Sequence, residues 1–355
     1  MCLTAWASFY LIGKVVTLLV TMIEKVANMY GIYPRYMEQI SPRLFKVNDG
    51  RYDYALKKSK LTEETIPLWE HVFHQAYKLS LRGVLPVYLT KESNLYASVD
   101  GVCYYMMPWM QRSDLNHEQH LRESFNMIGE IHAETRQAQS PNATLVDERF
   151  RDYRSQCQNQ QQTLLDFVQQ FEQNRFMSPF ELQVCTDYHV LTHALTELDR
   201  QIDRFLDAWE EDHHWNVNLC HGHLQSDHIL GRERLCIVNW EDAHYDHAVT
   251  DLVPLLQEQV RYYDQSTEKL AQLFSSYEQK NPLTTKEWHF LMIHLLDVSR
   301  YIQLVTDYRS AQSRHSMIMQ QQKLLHTRRQ LQLGLDWSLS ANNDSADDQE
   351  YPDES

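Results

Sequence analysis

Basic charge is the first thing this chain is short of. Its 355 residues carry 33 Lys and Arg against 48 Asp and Glu, a formal net charge of −15. Binding to nucleic acid rests on clustered Lys and Arg that neutralise phosphates, so that class of partner is excluded. Acidity of this size serves solubility. Glycine is also scarce, at 9 residues, which disfavours a loop-rich all-β fold. The six cysteines (Cys2, Cys103, Cys157, Cys185, Cys220 and Cys236) are scattered, with no Cys-x-x-Cys among them. They read as reduced thiols in a cytosolic setting. A long apolar run is missing too. Residues 9–12 and 15–20 are apolar, but Lys14 interrupts them, and a membrane span wants about 18–20 uninterrupted apolar residues. No basic stretch precedes them, so they lack the order of a signal peptide. A membrane anchor is not expected, and Met22 reads as the true start of an over-extended frame.

What is present is ample apolar material, 43% of the chain, arranged in two styles. Residues 43–47 and 52–57 flank Asn48-Asp49-Gly50, a strong hairpin turn signal. Over 64–79 Trp69, Phe73 and Ala76 fall at helical spacing, and Pro67 is tolerable in the first turn. Three strands are expected next, over 84–89, 95–99 and 102–109, the last two joined by Asp100-Gly101. After Asp114 the period becomes helical: Leu121, Phe125, Ile128 and His132 share a face, as do Leu164, Val168 and Phe171, then Leu191, Leu195, Leu198 and Ile202. A short hairpin, Ile229-Leu230 with 235–238, interrupts this before helices over 288–304 and 319–335. The glutamines at 158–162 read as a solvated helix face, and the acidic tail from Ser338 as disordered.

Between Leu219 and Leu252 the chain reads L-C-H-G-H-L-Q-S-D-H-I-L-G-R-E-R-L-C-I-V-N-W-E-D-A-H-Y-D-H-A-V-T-D-L. The segment resembles the aminoglycoside phosphotransferase and choline kinase-like (protein kinase-like) superfamily, whose loop runs H-G-D-L-H-P-G-N-I-L and whose metal segment runs I-D-W-E-D-A. His221-Gly222, Ile229-Leu230 and Val238 with Trp240-Glu241-Asp242-Ala243 match, and Asp246 and Asp251-Leu252 resemble the downstream stretch that anchors the loop. Within the superfamily the likeness is to CotS/YutH-type endospore coat-associated proteins. It rests on Tyr30-Gly31-Ile32-Tyr33-Pro34, Leu85-Pro86-Val87-Tyr88-Leu89-Thr90 and Tyr104-Tyr105-Met106-Met107-Pro108-Trp109-Met110, and spans 26–333.

The resemblance implies an α+β, two-lobed protein kinase-like fold, with a small antiparallel-sheet N-lobe and a larger helical C-lobe. The expected divisions are an apolar extension at 1–22, the N-lobe at 23–112, the C-lobe at 113–337 and the acidic tail at 338–355. Kinase-like enzymes use a catalytic-loop Asp, an Asn five positions on and a metal-binding Asp after the next strand. Here those slots hold His223, His228 and Asn239. A neutral imidazole at 223 could in principle accept a proton, but losing a positioned base costs about 10²–10⁴-fold. The metal slots are harder to replace, because magnesium prefers charged oxygen to imidazole nitrogen or a neutral amide. Asp227, one residue from its slot, is expected to point elsewhere, and Glu241 and Asp242 occur in active relatives too.

His221 is implied to be structural. Lys57 matches the strand lysine that pairs with nucleotide phosphates, with Glu70 as its candidate ion-pair partner and Glu63 and Glu64 as competitors. A surface lysine beside Lys58 and Lys60 is the equal alternative. His213, His214, His221, His223, His228, His244 and His247 crowd one stretch, but no ligand spacing accompanies them, and His132 reads as a core histidine. No catalytic residue, resident metal or cofactor is therefore expected, though residual ATP or magnesium binding at Lys57 stays open. The resemblance implies a catalytically impaired spore coat component, made in the mother-cell cytoplasm and partnered by other coat proteins. An active small-molecule phosphotransferase using ATP is the alternative.

Overall fold

The computed structural model describes residues 21–260, 266–310 and 316–347, the last eight by helix position alone. Most of the expected extension at 1–22, and the end of the tail from 348, lie outside these. No helix among the described residues is long and apolar enough to cross a membrane. The chain divides into two compact units, one of residues up to 120 together with 227–244, the other of 121–226 and the residues from 245. Residues 227–244 thus belong to the small-sheet unit, although helices of the other unit flank them in sequence.

In the first unit a helix over 21–29 (α1) precedes an antiparallel sheet. Its strands are β1 (Tyr36–Ser41), β2 (Leu44–Asn48), β3 (Asp53–Lys58), β4 (Ala97–Val99) and β5 (Val102–Pro108), in the order β1-β2-β3-β5-β4. The β2–β3 turn is built as its sequence suggests. Asn48 accepts the Gly50 N–H at 2.8 Å, Asp49 accepts the Arg51 and Tyr52 N–H groups at 2.8 Å, and Gly50 takes a φ of 97° that favours glycine. That turn fixes the register, pairing Phe45 with Leu56 and Val47 with Tyr54. Side chains alternate along a strand, so Phe45, Val47, Leu56, Tyr104 and Met106 share one buried face, packed with Val26 and Ala27 of α1. Ala55, Lys57 and Met107 fall on the opposite face by the same alternation. Helix α2 (Ile66–Lys78) sets Trp69 against Tyr105, ring centroids 5.1 Å apart.

One local expectation fails here, and one strand was not expected. Residues 84–89 form no strand: Pro86 lacks a ladder donor, and the segment is held by a parallel bridge from Val84 to Ile237, with the Leu85 N–H donating to Ile237 O, and by a bond from the Tyr88 N–H to Met106 O. The fifth strand is instead β1, whose exposed pattern hid it. The hairpin over 229–237 forms as β8 (Ile229–Leu230) and β9 (Cys236–Ile237). A Cβ at Gly231 would sit 1.8 Å from Arg234 O, so the tight turn requires glycine.

The second unit is mostly helical. Its helices are α3 (His117–Thr135), α4 (Ala143–Glu172), α5 (Pro179–Glu211), α6 (Val249–Gln259), α7 (Thr267–Glu278), α8 (Thr285–Leu295), α9 (Ser299–Arg309) and α10 (Met317–Asp347), α3 beginning within the first unit. A small sheet, in the order β10-β7-β6, joins β6 (Gln137–Gln139), β7 (Trp215–Cys220) and β10 (His244–Asp246). Helix α5 starts at a capping box, in which the Ser178 hydroxyl accepts the Glu181 N–H and the Glu181 carboxylate accepts the Ser178 N–H. Its stripe of Phe180, Leu191, Leu198, Ile202, Phe205 and Trp209 centres a core shared with Tyr301, Leu324 and Leu331. The single helix expected over 288–304 is two: α8 ends at Leu295 and α9 starts afresh at Ser299, whose N–H donates to Asp297 Oδ1 at 2.9 Å. Helix α10 continues to Asp347, past the boundary expected at 337.

Candidate functional site

The three replaced slots divide between the units: His223 belongs to the helical one, His228 and Asn239 to the sheet one. In the sheet unit, β3 delivers Lys57 onto the face away from the core. Its Nζ donates to Asn239 Oδ1 at 2.6 Å and pairs with Glu241 Oε2 at 3.5 Å. Arg43, placed beside the end of β3 by the hairpin register, pairs with the same Glu241 oxygen at 3.2 Å and donates from Nε to Lys58 O at 3.0 Å. The Ser59 hydroxyl donates to the other Glu241 oxygen at 2.8 Å. The partner of Lys57 is therefore Glu241; neither Glu70 nor its competitors Glu63 and Glu64 takes that place. Helix α2 reaches the sheet through Trp69, while the buried carboxylate comes from the segment after β9. Burial holds the Lys57 ammonium below the ordinary lysine range in spite of Glu241, and Arg43 adds to the depression. Burial and the Glu241 carboxylate together push the Tyr105 hydroxyl well up.

Asn239 has φ 69° and ψ 42°, left-handed backbone that asparagine tolerates better than most residues. A cavity of about 240 Å³ is lined by Ala55, Lys57, Met107, Trp109, Asp227 and Asn239, among others. Asp227 thus faces this cavity, contrary to the expectation from its one-residue offset, and its side chain is 65% exposed. His228 is not among the lining residues; its side chain is 16% exposed and its backbone carbonyl accepts the Val238 N–H at 2.9 Å.

In the helical unit the loop after β7 is held by Asp251 of α6. That carboxylate accepts the His221 N–H at 2.6 Å and the Gly222 N–H at 3.0 Å, and His132 Nε2 lies 3.4 Å away. Burial opposes its ionisation, but His132 and the backbone donors outweigh burial and lower its pKa. His221 is buried, and its Nδ1 accepts the His223 N–H at 3.3 Å. His223 itself is exposed. The Ser226 N–H and hydroxyl both donate to Glu258, at 2.8 and 2.9 Å.

The crowded histidines disperse: His214 bonds Asp212, His244 bonds Asp242 O and His247 bonds Asn216 O. Among the described residues, the one group of three metal-type side chains within ligand reach is His132, Cys220 and Asp251. All three already have work. His132 meets the Tyr277 hydroxyl at 3.0 Å, Asp251 holds the loop, and burial pushes the Cys220 thiol up, keeping it protonated. The group reads as the buried anchor of the loop.

Magnesium fits the sheet-unit donors poorly. Asn239 offers a neutral oxygen already bonded to an ammonium group, and Asp227 is the one carboxylate lining the cavity. The Arg43–Glu241–Lys57 cluster escaped sequence reading because Glu241 occurs in active relatives. The hairpin register was the signal that could have placed Arg43.

Over residues 23–333 the chain matches the family described as "Spore coat putative kinase YutH". The chain belongs to that family. No curated protein matches it. Among solved structures it is similar to an aminoglycoside phosphotransferase from Alicyclobacillus acidocaldarius, with a TM-score of 0.71 at 14% identity, covering 90% of this chain and 95% of that one. It is similar also to a spectinomycin phosphotransferase in its AMP-bound complex (TM-score 0.58, 12% identity, 89% and 97% covered). A microcompartment-associated aminopropanol kinase gives 0.53 at 13% identity, with 91% and 98% covered. At such identities these likenesses establish the fold: a mixed α+β kinase-like architecture with a small antiparallel sheet and a mostly helical remainder.

Proposed function

We propose that this YutH-family chain is a catalytically impaired kinase-like protein that serves the endospore coat as a structural or assembly component. The observation that carries the first half is the 2.6 Å bond from Lys57 to Asn239 Oδ1. A metal-binding Asp at that slot would offer charge to magnesium; the amide offers none, and its oxygen is committed to the lysine. Phosphoryl transfer relies on metal and cations to neutralise developing charge, so a site with one exposed carboxylate, Asp227, supports little turnover. His223, exposed at the base slot, leaves the acceptor hydroxyl without an orienting carboxylate. Family membership supports the coat half, with other coat proteins as partners. The cavity beside Lys57 supports residual nucleotide binding without transfer.

Incubating the purified protein with labelled ATP, magnesium and a panel of alcohols and amino alcohols tests the catalytic half. No phosphorylated product above the protein-free control is expected, and turnover in the range of ordinary kinases would reject it. A fluorescent fusion followed through sporulation tests the other half: a ring at the coat is expected, and diffuse mother-cell signal throughout would count against it.

A further inference from the structure

The cations of the sheet-unit cavity are already answered from within the chain. Lys57 Nζ is engaged by Asn239 Oδ1 and by Glu241, and Arg43 Nη2 donates to the same Glu241 carboxylate. That carboxylate is buried, and the Ser59 hydroxyl fixes its other oxygen. An internal anion thus sits where Lys57 and Arg43 would otherwise meet the phosphates of a nucleotide. We propose that the cavity takes an uncharged heteroaromatic ligand, a nucleoside or free base, in preference to a nucleoside polyphosphate, a selectivity that presupposes the residual nucleotide binding proposed above.

The turn between β1 and β2 supports the same preference. In kinase-like sites the backbone N–H groups of a glycine-rich loop cover the phosphates. Here the register pairs Ser41 with Leu44 across Pro42 and Arg43, and Ser41, Arg43 and Leu44 all line the cavity. Pro42 has no N–H, and the Arg43 N–H is turned to the Ser41 hydroxyl at 3.4 Å. No glycine in this turn lets its backbone close on a phosphate.

Charge sets the order of preference. The charged residues of the lining are Arg43, Lys57 and Asp227, and with Glu241 behind them they balance. Each phosphate added to a ligand therefore brings negative charge to a site with no surplus cation and a poor set of magnesium donors. The other walls suit a neutral ring. Ala55, Met107, Trp109, Leu230 and Val238 are apolar, and a planar base buries its faces on such side chains without losing charge solvation. The volume of about 240 Å³ also suits a compact ligand, lying below the roughly 300–1,000 Å³ of sites for drug-sized molecules.

Titration calorimetry on the full chain without magnesium, using adenosine, ATP and inorganic triphosphate, tests the preference. Adenosine is expected to bind at least about tenfold tighter than ATP, and inorganic triphosphate is expected not to bind. Glu241→Gln releases both cations to the cavity. It should tighten ATP by about tenfold or more while leaving adenosine within about twofold, with circular dichroism checking that the variant is folded. ATP binding the wild-type chain as tightly as adenosine, or more so, would overturn the preference while leaving residual nucleotide binding in place. So would a folded Glu241→Gln chain whose affinity for ATP is unchanged. No saturable binding of adenosine or ATP would reject residual nucleotide binding and this selectivity together. The wild-type comparison stands even if the variant misfolds.

Discussion

Removing either end of the Lys57–Glu241 pair should be unequal in cost, and the inequality follows from the geometry. At 3.5 Å, with an effective dielectric of about 20, the gross attraction is about 4–5 kcal/mol. Both side chains are nearly buried, 13% and 6% exposed, so desolvation offsets most of it. The lowered pKa of Lys57 says that burial outweighs its attraction to Glu241. Lys57→Met therefore removes a charge that was poorly solvated and leaves Glu241 with Arg43 at 3.2 Å and the Ser59 hydroxyl. Its cost is expected to be at most about 1 kcal/mol. Glu241→Gln strands two cations on one neutral amide and should cost about 2–3 kcal/mol. Urea denaturation of both single variants and the double variant closes the cycle, with an expected coupling of about 1–2 kcal/mol. A coupling indistinguishable from zero, or Lys57→Met costing more than Glu241→Gln, would refute the reasoning.

Asp251→Asn should destabilise the protein by about 2–4 kcal/mol at pH 7 by weakening charge-assisted bonds to the His221 and Gly222 N–H groups. Because the folded pKa of Asp251 is lowered, its contribution is present above the unfolded carboxylate value and fades as pH falls through the folded one. The deficit of the variant should accordingly shrink in acid denaturation series, and a deficit constant down to pH 2 would speak against it. His289, pushed down to about 4 by burial and then by Arg204, folds neutral. Its contribution is complete above about pH 6.5 and lost as pH falls toward 4, on the order of 2 kcal/mol. His289→Gln, which can keep a bond to Gln201, should flatten the stability profile across that window; an unchanged slope would contradict the burial argument. At φ 69°, Asn239→Ala should cost about 1 kcal/mol more than Asn239→Gly in urea melts, since glycine alone adopts that backbone freely. Equal midpoints would show that the turn relaxes.

Much of the fold was legible because it rests on local chemistry. The Asn48-Asp49-Gly50 turn fixed β2 against β3, and that register put Lys57 on the face away from the core. Long apolar stripes marked α3, α5 and α10, where a buried face repeats every three or four residues. Short or exposed pieces were not legible. β1 has no alternation, and 84–89 looked strand-like although Pro86 and a bridge to Ile237 keep it out of the sheet. At the site, the replaced slots could be read from the motif alone, but their surroundings could not. That Glu241 answers Lys57 depends on a chain reversal between residues far apart in sequence, and Glu70 was only nearer along the chain. Asp227 was misplaced for a related reason, because a tight loop need not alternate like a strand.

The most direct test of the account is the effect of magnesium on nucleotide affinity, measured by titrating a non-hydrolysable ATP analogue with and without excess magnesium. With Asn239 bonded to Lys57 and one exposed carboxylate nearby, magnesium should leave the affinity unchanged or weaken it, and Lys57→Met should remove whatever binding there is. Tightening by about tenfold or more, the mark of a metal ion bridging protein oxygens and phosphates, would contradict it.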